Sequence, residues 1–173
     1  LIKGNLSITK INPKIIKTEI DILKKIGVKI KTLNSQILVR GGGKIKSINI
    51  STAPYPGFPT DLQAQIMVLL CKANKNSIIK EKIFENRFMH VPELNRMGAK
   101  IKIKGNQATI QGNINFEGSE VIASDLRASV SLVLAALSAK GKSTIHRIYH
   151  LDRGYEKIEK KLKKIGIKIK RIS

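Results

Sequence analysis

A nine-residue pattern occurs three times in this chain and limits its possible folds more than any other feature. Leu23-Lys24-Lys25-Ile26-Gly27-Val28-Lys29-Ile30-Lys31 returns as Leu94-Asn95-Arg96-Met97-Gly98-Ala99-Lys100-Ile101-Lys102. It returns again as Leu162-Lys163-Lys164-Ile165-Gly166-Ile167-Lys168-Ile169-Lys170. The copies begin 71 and 68 residues apart, so one supersecondary unit is being reused. Each copy reads as a helix end, a glycine stop and a strand. Glycine takes positive φ after a helix without a Cβ penalty. The alternation that follows, as in 99–104, is the period-two mark of a half-buried strand.

A second repeat is offset from the first. Thr60-Asp61-Leu62-Gln63-Ala64-Gln65 and Ser124-Asp125-Leu126-Arg127-Ala128-Ser129 each open an apolar helix, 64 residues apart. Both helices are apolar nearly all round, which predicts burial rather than a surface position. Strands are expected to flank them at 47–51, 77–83, 120–123 and 143–149. The first surface helix should start at Asn12 as cap and Pro13 at the first helical position, with Ile16, Ile20 and Leu23 as its apolar stripe. The last should carry Tyr155, Ile158, Leu162 and Ile165 on one face, with Asp152 as a possible cap. Turns are expected at 33–35, Gly105-Asn106 and Gly41-Gly42-Gly43, the last read as a hairpin turn.

The unit is therefore strand, buried helix, strand, surface helix, strand, strand. Two units and an opening fragment fit the length, with no long linker, as one domain. Buried helices with sheets outside make an inverted α/β arrangement. Pattern alone leaves an ordinary α/β sandwich open.

The charge balance is extreme: 33 Lys and Arg against 12 Asp and Glu give a net +21. Polyanion binding is one reading, and a solvated basic surface is the other. The lysines are spread along the whole chain, and only 4% of residues are aromatic, which favours the second and weighs against nucleic acid. No apolar run reaches membrane-spanning length, and no signal-peptide pattern opens the chain. With a single cysteine, Cys71, the chain reads as cytoplasmic, with no membrane partner.

Asp61 follows a loop stiffened by Pro56, Gly57 and Pro59. It is either a first-turn acid or a carboxylate aimed at a ligand hydroxyl. The same two readings hold for Asp125. Arg127, at a buried helix start, is either an anion site or half of an ion pair. The segment 85–92 is a well-satisfied turn or a polar wall, and Arg153 could present its planar fork to a phosphate or carboxylate. His90, His146, His150 and Cys71 lack metal-ligand spacing, so no metal is expected. Cys71 reads as a small buried hydrophobe.

The segments 58–65, 84–94, 125–135 and 147–162 together closely resemble the UDP-N-acetylglucosamine enolpyruvyl transferases (1-carboxyvinyltransferases). The sister enolpyruvyl-shikimate phosphate synthases share the fold with weaker motif agreement. The resemblance implies an inside-out α/β barrel of βαβαββ repeats, with parallel helices buried inside the sheets. It implies transfer of the enolpyruvyl group of phosphoenolpyruvate to the sugar 3′-hydroxyl of UDP-N-acetylglucosamine, the first committed step of peptidoglycan synthesis. No cofactor is implied.

Carried over by motif, Asp61, Asp125 and Arg153 resemble catalytic residues. Asp61, Ile83, Arg87, Arg127 and Arg153 resemble substrate-binding ones. The family's cysteine proton donor and its Lys-Asn pair lie in an N-terminal domain. The expectation is therefore that residues 1–173 form the C-terminal domain, with that N-terminal catalytic-loop domain absent. The chain would need it as a partner and have no turnover alone. The alternative from another class is a basic, non-catalytic polyanion-binding module on the same fold.

Overall fold

The computed structural model describes residues 4–172. In chain order it holds β1 (Asn5–Thr9), α1 (Lys17–Lys25), β2 (Lys29–Leu33), β3 (Gln36–Arg40) and β4 (Asn49–Ser51). Then come α2 (Gln63–Leu70), β5 (Ser77–Lys80), α3 (Val91–Arg96), β6 (Ile101–Lys104) and β7 (Gln107–Ile110). The chain ends with β8 (Glu120–Ile122), α4 (Leu126–Leu137), β9 (Thr144–His146), α5 (Tyr149–Asp152) and α6 (Ile158–Lys164).

The predicted unit appears complete once, as β4-α2-β5-α3-β6-β7. Its sheet order is β4-β5-β7-β6. β4 and β5 run parallel around α2, and the other pairings are antiparallel. The opening fragment repeats the second half of this topology as β1-β3-β2, also antiparallel. The closing unit repeats the first half, as parallel β8 and β9 around α4.

The three glycine stops share one geometry. Gly27, Gly98 and Gly166 have φ of 97°, 93° and 85°. In each copy the glycine N–H donates three residues back, and the next residue's N–H donates to the Leu carbonyl that opens the pattern, at 2.9, 3.0 and 3.2 Å. This is the paired hydrogen-bond signature of a left-handed helix stop. At Gly27 a side chain is also excluded by space, because a Cβ would lie 2.7 Å from the Lys44 carbonyl oxygen.

The two apolar helices are buried as their sequences predict. Gln63, Ala64, Ile66, Met67, Val68 and Leu70 of α2 are buried, as are residues 128–133 and Ala135 of α4. The two helices pack against each other. Phe116, Ile79, Ile110, Leu94, Met97 and Val121 complete one contiguous core around them. Lys80, Lys102 and Lys104 stand exposed on the strands. The layers are thus inverted, with helices inside and a solvated sheet surface outside. A smaller cluster of Val130, Val133 and Leu151 packs Tyr155, Ile158, Leu162 and Ile169 beneath α5 and α6.

Several local expectations differ. The first helix opens as a 3-10 turn over Pro13–Ile16, capped by the Asn12 side chain accepting from the Lys14 N–H, before α1 proper. β5 stops at Lys80 because the Glu81 carboxylate accepts from the amides of Ile83 and Phe84 and turns the chain away. β9 stops at His146 because Arg147 takes a left-handed φ of 55°. Gly41-Gly42-Gly43 is not a hairpin turn: it carries the chain from β3 toward β4, in a different sheet. Asp152 does not cap α6; it lies in α5 and receives two hydrogen bonds from Arg171, at 2.9 and 2.5 Å. Ile165 leaves the apolar stripe and is exposed. The third copy's residues 167–170 form no strand.

Candidate functional site

Two helix mouths meet at one place. Asp125 takes an extended backbone and caps α4. Its carboxylate accepts from the N–H of Arg127 at 2.8 Å, the N–H of Ala128 at 3.1 Å and the Ser124 hydroxyl at 3.0 Å. Partial burial works against its charge, but these donors outweigh the burial and hold its pKa below the ordinary value.

Asp61 lies inside a 3-10 turn, Thr60–Leu62, whose N-cap position is Pro59. The proline in the cap position has no side-chain acceptor for the first amides. Its side chain is 65% exposed and pairs with the Arg127 guanidinium, whose Nε donates to Asp61 Oδ1 at 2.6 Å. Arg127 therefore joins both mouths, through its backbone to Asp125 and through its side chain to Asp61.

A cavity of about 350 Å³ opens there, lined in part by Thr60, Gln63, Arg87, His90, Asp125 and Arg127. A second cavity of about 790 Å³ shares residues 85–87 and Met89 with it, and adds Ile83 and Phe84. The Arg87 guanidinium lies 4.4 Å from the centre of the Phe84 ring, a cation–π contact that steadies it between the cavities. Arg127 and Arg87 give the smaller cavity two fixed cations, and Asp125 with Asp61 gives the mouth two acceptors. Such a set suits a small anion next to a hydroxyl.

Arg153 is placed differently. It is exposed, follows α5, and lines neither cavity. Its neighbour Gly154 touches the same mouth, because a Cβ there would meet Leu126 Cδ2 at 2.9 Å. The structure thus groups Asp61, Arg87, Asp125 and Arg127, sets Ile83 in the adjoining cavity, and leaves Arg153 outside both.

Two further lining residues had no role at this mouth by sequence reasoning, His90 having been weighed only as a metal ligand and Gln63 not at all. His90 is 3% exposed and Gln63 is 2% exposed, and the Nε2 atom of each is buried with no partner among the described residues. Burial pulls the His90 pKa down to about 4, against the opposing pull of the Asp125 charge. Its ring is therefore neutral near pH 7. The signal for Gln63 was an amide side chain in the first turn of a mostly apolar helix, which it shares with Gln65.

Cys71 fits its sequence reading, since burial pushes its thiol up to about 12. Among the described residues no group of three His, Cys, Asp or Glu could hold a metal ion. No described helix is long and apolar enough to cross a membrane.

A family model described as EPSP synthase (3-phosphoshikimate 1-carboxyvinyltransferase) matches residues 1–162. The UDP-N-acetylglucosamine 1-carboxyvinyltransferase of Pelagibacter ubique is 74% identical over the whole chain, and that of Desulfosudis oleivorans is 52% identical. The chain spans 42% of the length of each. The enolpyruvyl transferase NikO from Streptomyces tendae superposes with a TM-score of 0.89 at 27% identity, over 96% of this chain and 40% of that one. EPSP synthase from Acinetobacter baumannii, at 15% identity and a TM-score of 0.72, shares the fold over the whole chain and 41% of its own length. The family match takes in well over half of the chain: this protein belongs to the EPSP synthase (3-phosphoshikimate 1-carboxyvinyltransferase) family and has the enolpyruvyl transferase fold.

Proposed function

We propose that this chain supplies one wall of an enolpyruvyl transferase site acting on phosphoenolpyruvate and the 3′-hydroxyl of UDP-N-acetylglucosamine. The supporting observation is the junction at Arg127, where two acidic helix mouths and a cation-lined cavity converge. The names of the relatives at 74% and 52% identity supply the sugar nucleotide. The product is the first committed intermediate of peptidoglycan, made in the cytoplasm.

Each residue has a role in this reading. Arg87 and Arg127 hold the phosphate and carboxylate of phosphoenolpyruvate, with Arg153 reaching in when substrate is bound. Asp61 accepts the proton of the sugar hydroxyl as its oxygen bonds to C2 of phosphoenolpyruvate. A proton delivered to C3 completes a tetrahedral adduct. Loss of a proton from C3 then expels phosphate from C2 and leaves the enol ether. Asp125 stabilises positive charge developing at C2, and Ile83 packs against the nucleotide.

The donor to C3 comes from outside these residues. Cys71 lies within the core beside α2, with its thiol pushed up to about 12, where substrate does not reach. An N-terminal domain, within the part of the relatives that this chain does not span, would bring it.

The test is phosphate release from the two substrates. It is measured with the chain alone and with the chain replacing the matched segment of the Pelagibacter relative. Release by the hybrid and none by the chain alone is expected. An inactive, folded hybrid defeats the reading. The +21 charge offers a polyanion-binding module instead; steep, sequence-independent nucleic-acid binding across a salt series would favour it.

A further inference from the structure

Glu81, just past β5, is 2% exposed, and no ion pair among the described residues includes it. A buried carboxylate without a cation is costly unless donors surround it. Four do. Oε1 accepts from the Thr52 hydroxyl at 2.7 Å and the N–H groups of Ile83 and Phe84 at 2.9 and 3.3 Å. Oε2 accepts from the Thr60 hydroxyl at 2.9 Å. The Thr52 oxygen in turn accepts from the Lys82 N–H at 2.8 Å, and the Glu81 N–H donates to the Asn106 carbonyl at 2.8 Å.

The two oxygens serve different walls. One fixes the segment that lines the larger cavity through Ile83 and Phe84. The other holds Thr60, which precedes Asp61 and lines the smaller cavity. We infer that Glu81 is a positioning residue that sets the spacing between the Asp61 mouth and the Ile83–Arg87 wall. This rests on the enzyme reading above, in which those two walls hold the hydroxyl acceptor and the sugar nucleotide. The Thr60 hydroxyl is the arm that reaches Asp61, so it can be cut alone.

Two measurements test this. In the hybrid enzyme, Thr60→Val is expected to lower kcat roughly tenfold or more, since misplacing a reacting group by about 1 Å costs on the order of a hundredfold. KM for the sugar nucleotide should change less than about threefold, since the Oε1 arm is intact. Thr60→Ser keeps the hydroxyl and should restore kcat. In the chain by itself, whatever the hybrid does, Thr60→Val should move the amide NMR signals of Ile83 and Phe84 through the shared carboxylate, and Thr60→Ser should return them. Unmoved amide signals overturn the inference. So does an unaltered kcat in an active hybrid, or a Ser variant as impaired as the Val variant. An inactive hybrid with coupled amide signals rejects the enzyme reading and leaves the coupling in place.

Discussion

Asp61 and Asp125 occupy the same position in two copies of one sequence unit, yet they do different physical work. Asp125 turns inward and caps α4 with two backbone N–H bonds. Asp61 faces outward at 65% exposure and binds the side chain of Arg127. The difference arises in which residue takes the cap position. Pro59 takes the cap position before the first mouth and begins a 3-10 turn. Asp61 is thereby placed within the first turn rather than at its cap, and its carboxylate takes up the Arg127 side chain. Ser124 lets the chain stay extended until Asp125 itself. A capping acid is needed by the fold; a displaced one is left to bind or react.

The comparison can be broken most sharply at Arg127, the residue both mouths share. In the hybrid enzyme, Arg127→Ala should lower kcat/KM for phosphoenolpyruvate roughly a thousandfold, about 4 kcal/mol, as expected for losing charge-assisted bonds to an anion in a closed site. The fold should persist, because only its backbone serves Asp125. A loss below tenfold would mean that Arg127 merely neutralises Asp61.

His90 sharpens the Asp125 side. Its pKa is about 4 when folded against 6.5 when exposed. Between those values the unfolded chain binds more protons, so stability rises with pH across the window and is lost as pH falls through it. The expected loss is roughly 3 kcal/mol. Asp125, a carboxyl also held low, acts in the same direction over a lower pH window. Its contribution is present above its ordinary 3.8 and is lost as pH falls through the lower folded value. Urea unfolding of the chain from pH 7 to 4 should therefore show a one-proton slope that His90→Asn removes. An unchanged slope in that variant would place the proton elsewhere.

The two carboxylates should then separate in stability. Asp125→Ala removes a cap and is expected to cost about 1 kcal/mol, or roughly 2–4 °C in Tm for a chain of this size. Asp61→Ala removes an exposed ion-pair partner and should change stability by less than about 0.5 kcal/mol. Equal losses would dissolve the distinction.

Much of the fold was legible because it rests on local chemistry. The three Leu-to-Gly stops, the all-round apolar character of α2 and α4, and the period-two strands each name their own structure. The misreadings came where a distant partner decides the outcome. Arg171, 19 residues on, takes Asp152 away from α6. Glu81 ends β5 early by drawing in amides ahead of it and hydroxyls from Thr52, just past β4, and from the Asp61 turn. Gly41–Gly43 looks like a tight turn but joins two sheets. At the site, acids and arginines stood out by residue type, whereas Gln63 and His90 matter through burial, which a sequence does not display. Asp61 and Asp125 looked interchangeable, and only backbone geometry told them apart.

The most direct measurement is phosphate release by the hybrid enzyme carrying Asp61→Asn, with Tm recorded on the same preparation. The substitution keeps the shape of the side chain and removes its basicity. Turnover should fall by roughly a hundredfold or more, the range of a general base, while Tm stays within about 2 °C. Turnover close to that of the unsubstituted hybrid would contradict the account, because the outward-facing carboxylate would then have no part in the chemistry.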